Sequence, residues 1–152
     1  AQRLDTLNER REALTLARQT LAQANAALAE RFSPRLVREA SEIFSELTGG
    51  RYARVQISRQ MELEAGQPDA AMRRSLFLSG GTADELYLSV RLAVCRLLLP
   101  EDAPLLLDDA LVMFDDDRLR LALRLLQREA ENRQILLFTC QHREQKALTT
   151  DL

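Results

Sequence analysis

The sequence is short of the residues that build most self-contained active sites. Its 152 residues include five glycines, four prolines, two cysteines, one histidine and no tryptophan, and of 21 basic side chains only Lys146 is a lysine. A phosphate-cradling P-loop needs Gly-x-x-x-x-Gly-Lys-Ser/Thr. The glycines stand at Gly49, Gly50, Gly66, Gly80 and Gly81, far from Lys146, so this chain contains no such loop. Cys95 and Cys140 lie 45 positions apart inside apolar segments, without neighbours at metal-ligand spacing, and read as buried free thiols in a reducing compartment. No apolar run approaches the roughly 20 residues of a membrane span. No positively charged leader precedes an apolar block, so a cytoplasmic location is expected. A net charge of -2 excludes a protein coated in positive charge. Nucleic-acid contact then requires a local patch; Arg51, Arg54, Arg59, Arg73 and Arg74 are the candidates, beside the plainer reading of a solvated face.

What is present is helix, and then strands at regular intervals. From Gln2 to about Arg31 there is neither Gly nor Pro, and Leu7, Leu14, Leu21 and Leu28 recur seven apart, with Leu4, Ala17 and Ala24 beside them. A sustained seven-residue repeat marks a coiled coil, although Arg11, Arg18 and Asn25 make the seam narrow. The alternative is an amphipathic helix lying on its own domain. The chain starts at Ala1 in mid-pattern, as a piece of something longer would. Ser33-Pro34 has the form of an N-cap followed by Pro at the first helical position, so a helix restart is expected there. Two domains follow: a coiled-coil arm over 1–32 and a globular lobe over 33–152.

Within the lobe, Leu36, Val37, Ala40, Ile43, Phe44 and Leu47 keep helical spacing up to Gly49-Gly50. Ala53, Val55 and Ile57, then Met61, Leu63 and Ala65, alternate as two half-buried strands. A helix is expected from Thr82 to Leu99, opened by Ser79-Gly80-Gly81 and stopped by Pro100. Leu105–Leu107 and Ile135–Cys140 read as strands covered on both faces, separated by an amphipathic helix over 116–131. Strand, helix, strand implies a right-handed crossover and a parallel sheet, hence an α/β fold.

The chemistry concentrates between Leu76 and His142. A Ser-Gly-Gly triplet at a helix start offers backbone N–H groups and a hydroxyl to an anion, or is merely a loop. Asp108 and Asp109 close a buried strand, where α/β sheets place ligands. Adjacent acids there repel unless a cation or proton lies between them, so one suits Mg2+ and the other an attacking water; an N-cap and a solvated acid is the plainer option. Asp115, Asp116 and Asp117 suit the cap and first turn of the next helix. His142, the single histidine, is a structural residue or a donor to a phosphate.

These residues carry a resemblance that covers nearly the whole chain. Leu78-Ser79-Gly80-Gly81-Thr82 resembles the signature motif of the ABC-type ATPase heads of SMC, RecF, RecN and YhaN-like DNA-maintenance proteins. Leu105-Leu106-Leu107-Asp108-Asp109 resembles their Walker B strand, Phe114-Asp115 their D-loop, and Thr139-Cys140-Gln141-His142 their switch-histidine strand. The resemblance implies the C-terminal lobe of a P-loop NTPase head with the stub of its coiled-coil arm. By position, Asp108 would support Mg2+, Asp109 would position or activate water, and His142 would contact the γ-phosphate. Ser79, Gly80, Gly81 and Thr82 would reach ATP held by a second head, and Asp115 would couple the two sites. The partners implied are the N-terminal lobe bearing the P-loop, a second head in a homodimer, and DNA in the full-length protein, within a bacterial cytoplasm or nucleoid. Two departures stand out: Thr82 replaces the glutamine of transporters, and Asp109 replaces a common glutamate, which implies slower hydrolysis. The rival readings are a coiled-coil interaction module without catalysis, and a Toprim-like metal-dependent nuclease built on a strand at Leu111–Phe114 leading to Asp115 and Asp117.

Overall fold

The computed structural model describes residues 2–58 and 62–150, with side chains described over 7–24, 34–58 and 62–149. A long helix α1 (Gln2–Leu47) is followed by strands β1 (Arg54–Ile57), β2 (Leu63–Gly66) and β3 (Arg73–Arg74) and a short 3-10 turn at Ser75–Phe77. Then come α2 (Gly80–Leu98), β4 (Leu105–Asp108), α3 (Asp116–Glu129), β5 (Ile135–Phe138) and α4 (His142–Thr150). The chain divides into two compact units, residues 1–35 and 36–152.

In the first unit the heptad leucines Leu7, Leu14 and Leu21 are 57%, 64% and 68% exposed. The Leu4 and Leu28 side chains lie outside the described residues. The helix does not restart at Ser33: Pro34 lies inside α1. Proline removes one backbone hydrogen bond and crowds the preceding turn, but the helix-favouring residues on both sides carry the backbone through.

The second unit begins with the apolar stripe that the spacing predicts, since Leu36, Ala40, Ile43, Phe44 and Leu47 are all buried. The helix ends where two glycines permit it. Gly49 and Gly50 have φ of 60° and 81°, and the Gly50 N–H donates to Ser45 O at 2.7 Å, a Schellman-type closure. Phe44 meets Tyr52 with ring centroids 5.4 Å apart. Strands β1, β2 and β3 form an antiparallel sheet in that order, with Val55 opposite Ala65 and Ala65 opposite Arg73. The Val55 N–H points away from β2 and is received by Ser41 Oγ at 3.0 Å, while the same hydroxyl donates to Val37 O at 2.7 Å. Ser41→Ala should therefore cost about 1–2 kcal/mol in urea unfolding, because it leaves a buried N–H without an acceptor.

Strands β4 and β5 pair in parallel, Leu105 with Ile135 through Asp108 with Phe138, as the crossover requires. They are not covered on both faces. Leu106, Leu136 and Phe138 share one face and are 65%, 39% and 53% exposed, whereas Leu105 on the other face is buried. A two-stranded sheet lined by helices on one side leaves its other apolar face open. Helix α3 buries Leu119, Ala122, Leu123, Leu125 and Leu126. Arg96 on α2 ties the layers together by pairing with Glu129 on α3, Nε to Oε1 at 2.9 Å, and with Glu39 on α1 at 3.5 Å. Cys95 is partly buried, and Cys140 is exposed, against expectation, because β5 stops at Phe138. No described helix is long and apolar enough to cross a membrane.

Candidate functional site

The structure arranges the singled-out residues in two groups joined by the segment 109–118. The first surrounds the start of α2. Ser79 is the N-cap: its Oγ accepts from the Thr82 N–H at 3.4 Å and lies 2.9 Å from Thr82 Oγ1. Gly80 and Gly81 are not a loop but the first helical turn, so their freedom to adopt unusual dihedrals is not what the fold uses. Close approach is. A Cβ on Gly81 would lie 2.0 Å from Arg118 Nη1 and 3.1 Å from Met113 O.

Arg118, on the first turn of α3, is the hub of this group. Its Nη2 donates to Thr82 Oγ1 at 3.0 Å, and its Nε lies 3.4 Å from Glu85 Oε1 and 3.5 Å from Asp115 Oδ2. Asp115 caps α3 as its position suggests, its Oδ1 accepting from the Arg118 N–H at 3.0 Å, with Asp116 and Asp117 in the first turn. Glu85 is 1% exposed and its Oε1 has no hydrogen bond. Burial pushes its carboxyl up to about 7, with Asp115 adding to the rise and Arg118 and Arg51 opposing it. These residues line a cavity of about 120 Å3 together with Thr48, Tyr52 and Leu121. Neither Glu85 nor Arg118 stands out in the sequence. A glutamate on the apolar side of the α2 helix, between Thr82 and Leu86, is the one available signal.

The second group sits at the C-terminal ends of β4 and β5. Asp108 is exposed and aligned with Phe138. Asp109 adopts φ of 46°, the single non-glycine residue with positive φ among those described. Three hydrogen bonds hold it there. Its N–H donates to Phe138 O at 2.9 Å, its Oδ1 accepts from the Cys140 N–H at 3.2 Å, and its C=O accepts from the Val112 N–H at 3.3 Å. A non-glycine residue in this region costs roughly 1–3 kcal/mol and persists where surrounding contacts over-determine it. His142 opens α4, beyond the loop that carries Cys140. Next to it, Arg143 Nη2 donates to Leu111 O and Val112 O at 3.2 and 3.1 Å, so α4 is fastened to the segment linking the two groups. Ser79 and Asp109 belong to different groups.

Residues 111–113 are a turn, not a strand, which removes the basis of the Toprim-like reading. Of the arginine patch, Arg54 donates to Gln67 O at 2.8 Å and Arg74 pairs with Glu62, so both are engaged in the β1–β3 sheet; Arg59 lies outside the described residues.

The chain is 36% identical over 110 residues to the "Uncharacterized protein YhaN" of Bacillus subtilis (strain 168), a match spanning 70% of this chain and 11% of that protein. No family model matches. Among solved structures, a chain from the structural biochemistry of ATP-driven dimerization and DNA-stimulated activation of SMC ATPases superposes with a TM-score of 0.67 at 19% identity, over 80% of this chain and 76% of that one. The Smc head domain with a coiled coil and joint from Pyrococcus yayanosii gives 0.65 at 16%, over 94% of this chain and 29% of that one. The order of its elements, its parallel β4–β5 pair and these likenesses agree: this chain has the fold of the C-terminal lobe of an SMC head domain, and it spans about a tenth of the length of the YhaN protein it resembles.

Proposed function

We propose that the full-length protein binds ATP with Mg2+ and hydrolyses it when two heads close, and that it does so in DNA repair or recombination. The observation that carries this reading is Asp109, held in a strained left-handed conformation at the end of a parallel strand by the Cys140 N–H. A carboxylate fixed in this way, one residue after the exposed Asp108, suits an acid that orients water beside one that supports a metal.

The residues fit the implied groups. The described residues contain no cluster of three or more acidic, Cys or His side chains able to hold a metal unaided. Mg2+ does not need one, because it binds through one or two carboxylates with phosphate and water oxygens completing its shell. Asp108 would hold it, and when bound it neutralises phosphate charge. His142 would contact the γ-phosphate. Ser79, Gly80, Gly81 and Thr82 would face ATP on a second head, with Asp115 coupling the two sites across that interface. The open face of Leu106, Leu136 and Phe138 supports a covering N-terminal lobe that carries the P-loop. The exposed stripe of Leu7, Leu14 and Leu21 supports a coiled-coil arm over 1–32, with the head lobe over 33–152. That stripe equally favours the second reading, an interaction module without catalysis.

Steady-state ATPase measurements decide between them. This chain alone should turn over no ATP, and the full-length protein should do so at a rate that rises with protein concentration. Turnover by the isolated chain, or none by the full-length protein with Mg2+ and DNA, would sink the ATPase reading.

A further inference from the structure

We propose that Arg118 is a positioning residue for the signature turn, orienting the Ser79 hydroxyl through Thr82 and tying that turn to Asp115. The inference rests on the ATPase reading only for its consequence in turnover; the positioning stands on the geometry of this chain.

The guanidinium is a planar fork with five N–H donors, and it reaches both helix starts. Toward α2 it donates to Thr82 Oγ1 at 3.0 Å and faces Glu85 Oε1 at 3.4 Å. Toward its own helix it faces Asp115 Oδ2 at 3.5 Å. Its Nη1 occupies the space that a Cβ at position 81 would take, and the backbone Met113 O borders the same space at 3.1 Å.

The direction of the hydrogen bonds gives the arrangement its use. Arg118 can only donate, so it fills an acceptor site on Thr82 Oγ1. Either hydroxyl can donate across the 2.9 Å between Ser79 Oγ and Thr82 Oγ1, but the charged donor on Thr82 Oγ1 polarises its O–H and favours Thr82 as the donor, with Ser79 Oγ accepting from it and from the Thr82 N–H. The Ser79 hydroxyl then keeps its own proton for an outside acceptor, the polarity an anionic phosphate oxygen needs. Glu85, buried with an unsatisfied Oε1 3.4 Å from Arg118 Nε, walls the guanidinium in on the α2 side.

The test uses the full-length protein carrying Arg118→Ala, Arg118→Lys or Gly81→Ala, with two readouts. Hydrogen exchange of the amides from Gly81 to Glu85 should accelerate at least tenfold in Arg118→Ala, with peptides from β1 and β2 unchanged. Turnover should show kcat lowered about 10- to 100-fold with KM within about threefold, partial recovery on adding millimolar guanidinium, and no recovery in Arg118→Lys, whose compact ammonium cannot span Thr82 and both carboxylates. Gly81→Ala, which displaces the guanidinium while leaving it in the sequence, should reproduce both effects. Unchanged exchange in Arg118→Ala overturns the proposal whatever the turnover. Faster exchange in a protein whose wild type hydrolyses no ATP upholds the positioning and overturns the ATPase reading alone. A loss of turnover that guanidinium does not restore, accompanied by faster exchange throughout the lobe, marks a merely structural arginine and also overturns it.

Discussion

Asp109→Asn in the full-length protein should reduce ATP turnover by roughly 10²–10⁴-fold, the range expected when a positioned general base is removed, while leaving the fold intact. The substitution is chosen for the backbone. Asp109 sits at φ of 46°, where Asn is as well tolerated as Asp and bulkier residues are not. The Asn carbonyl can still accept from the Cys140 N–H as Asp109 Oδ1 now does at 3.2 Å, so the link between the ends of β4 and β5 survives. Only the charge is lost. Asp109→Ala mixes two effects, because it also removes that hydrogen bond and strains the left-handed residue. The check is steady-state hydrolysis with a thermal melt on the same preparation. An unchanged melt with turnover within threefold of wild type would mean that Asp109 serves the local geometry and not the reaction.

That contrast shows what a sequence exposes and what it hides. Local rules were legible. Asp115 is an N-cap where its position places it, Gly49-Gly50 closes α1, and Pro100 follows the end of α2, whereas α2 begins at Gly80, two residues before the expected Thr82, with Ser79 as its cap. The parallel pairing of β4 and β5 follows from strand-helix-strand order. Strand β3 is two arginines with no apolar alternation to reveal it, and α4 begins after the last strong apolar run. The continuous passage of α1 through Pro34 defeats a rule that is only a bias. The open face of Leu106, Leu136 and Phe138 reads as buried because an apolar run carries no record of what covers it. Hardest to see are the contacts between distant positions. Arg118 lies 36 residues from Thr82, and Asp109 lies 31 residues from Cys140, and each pair is made by the fold rather than by a motif. The motif residues mark where the site is; the residues that hold them are set by tertiary structure.

Glu85 is where the site's electrostatics should show in stability. Its carboxyl is raised from the ordinary 4.5 to about 7, chiefly because burial penalises the ionised form. The charged groups around it are Arg118, Asp115 and Asp117 on and beside the start of α3, and Arg51 on the segment after α1, where the Tyr52 side chain also lines the cavity. A carboxyl whose folded value lies above its unfolded value binds its proton more tightly in the native state. Its stabilising contribution is therefore complete below about pH 4.5, declines as pH rises toward about 7, and is gone above that. The full change amounts to roughly 3 kcal/mol. Glu85→Gln keeps the shape and one acceptor but cannot ionise. Between about pH 4.5 and pH 8 the unfolding free energy of wild type should fall by roughly 3 kcal/mol relative to that of Glu85→Gln, since the other carboxylates titrate alike in both proteins. Urea unfolding of the pair across this range measures the difference directly. A constant difference would show that Glu85 remains ionised throughout, with the Arg118 guanidinium offsetting the whole penalty of its burial.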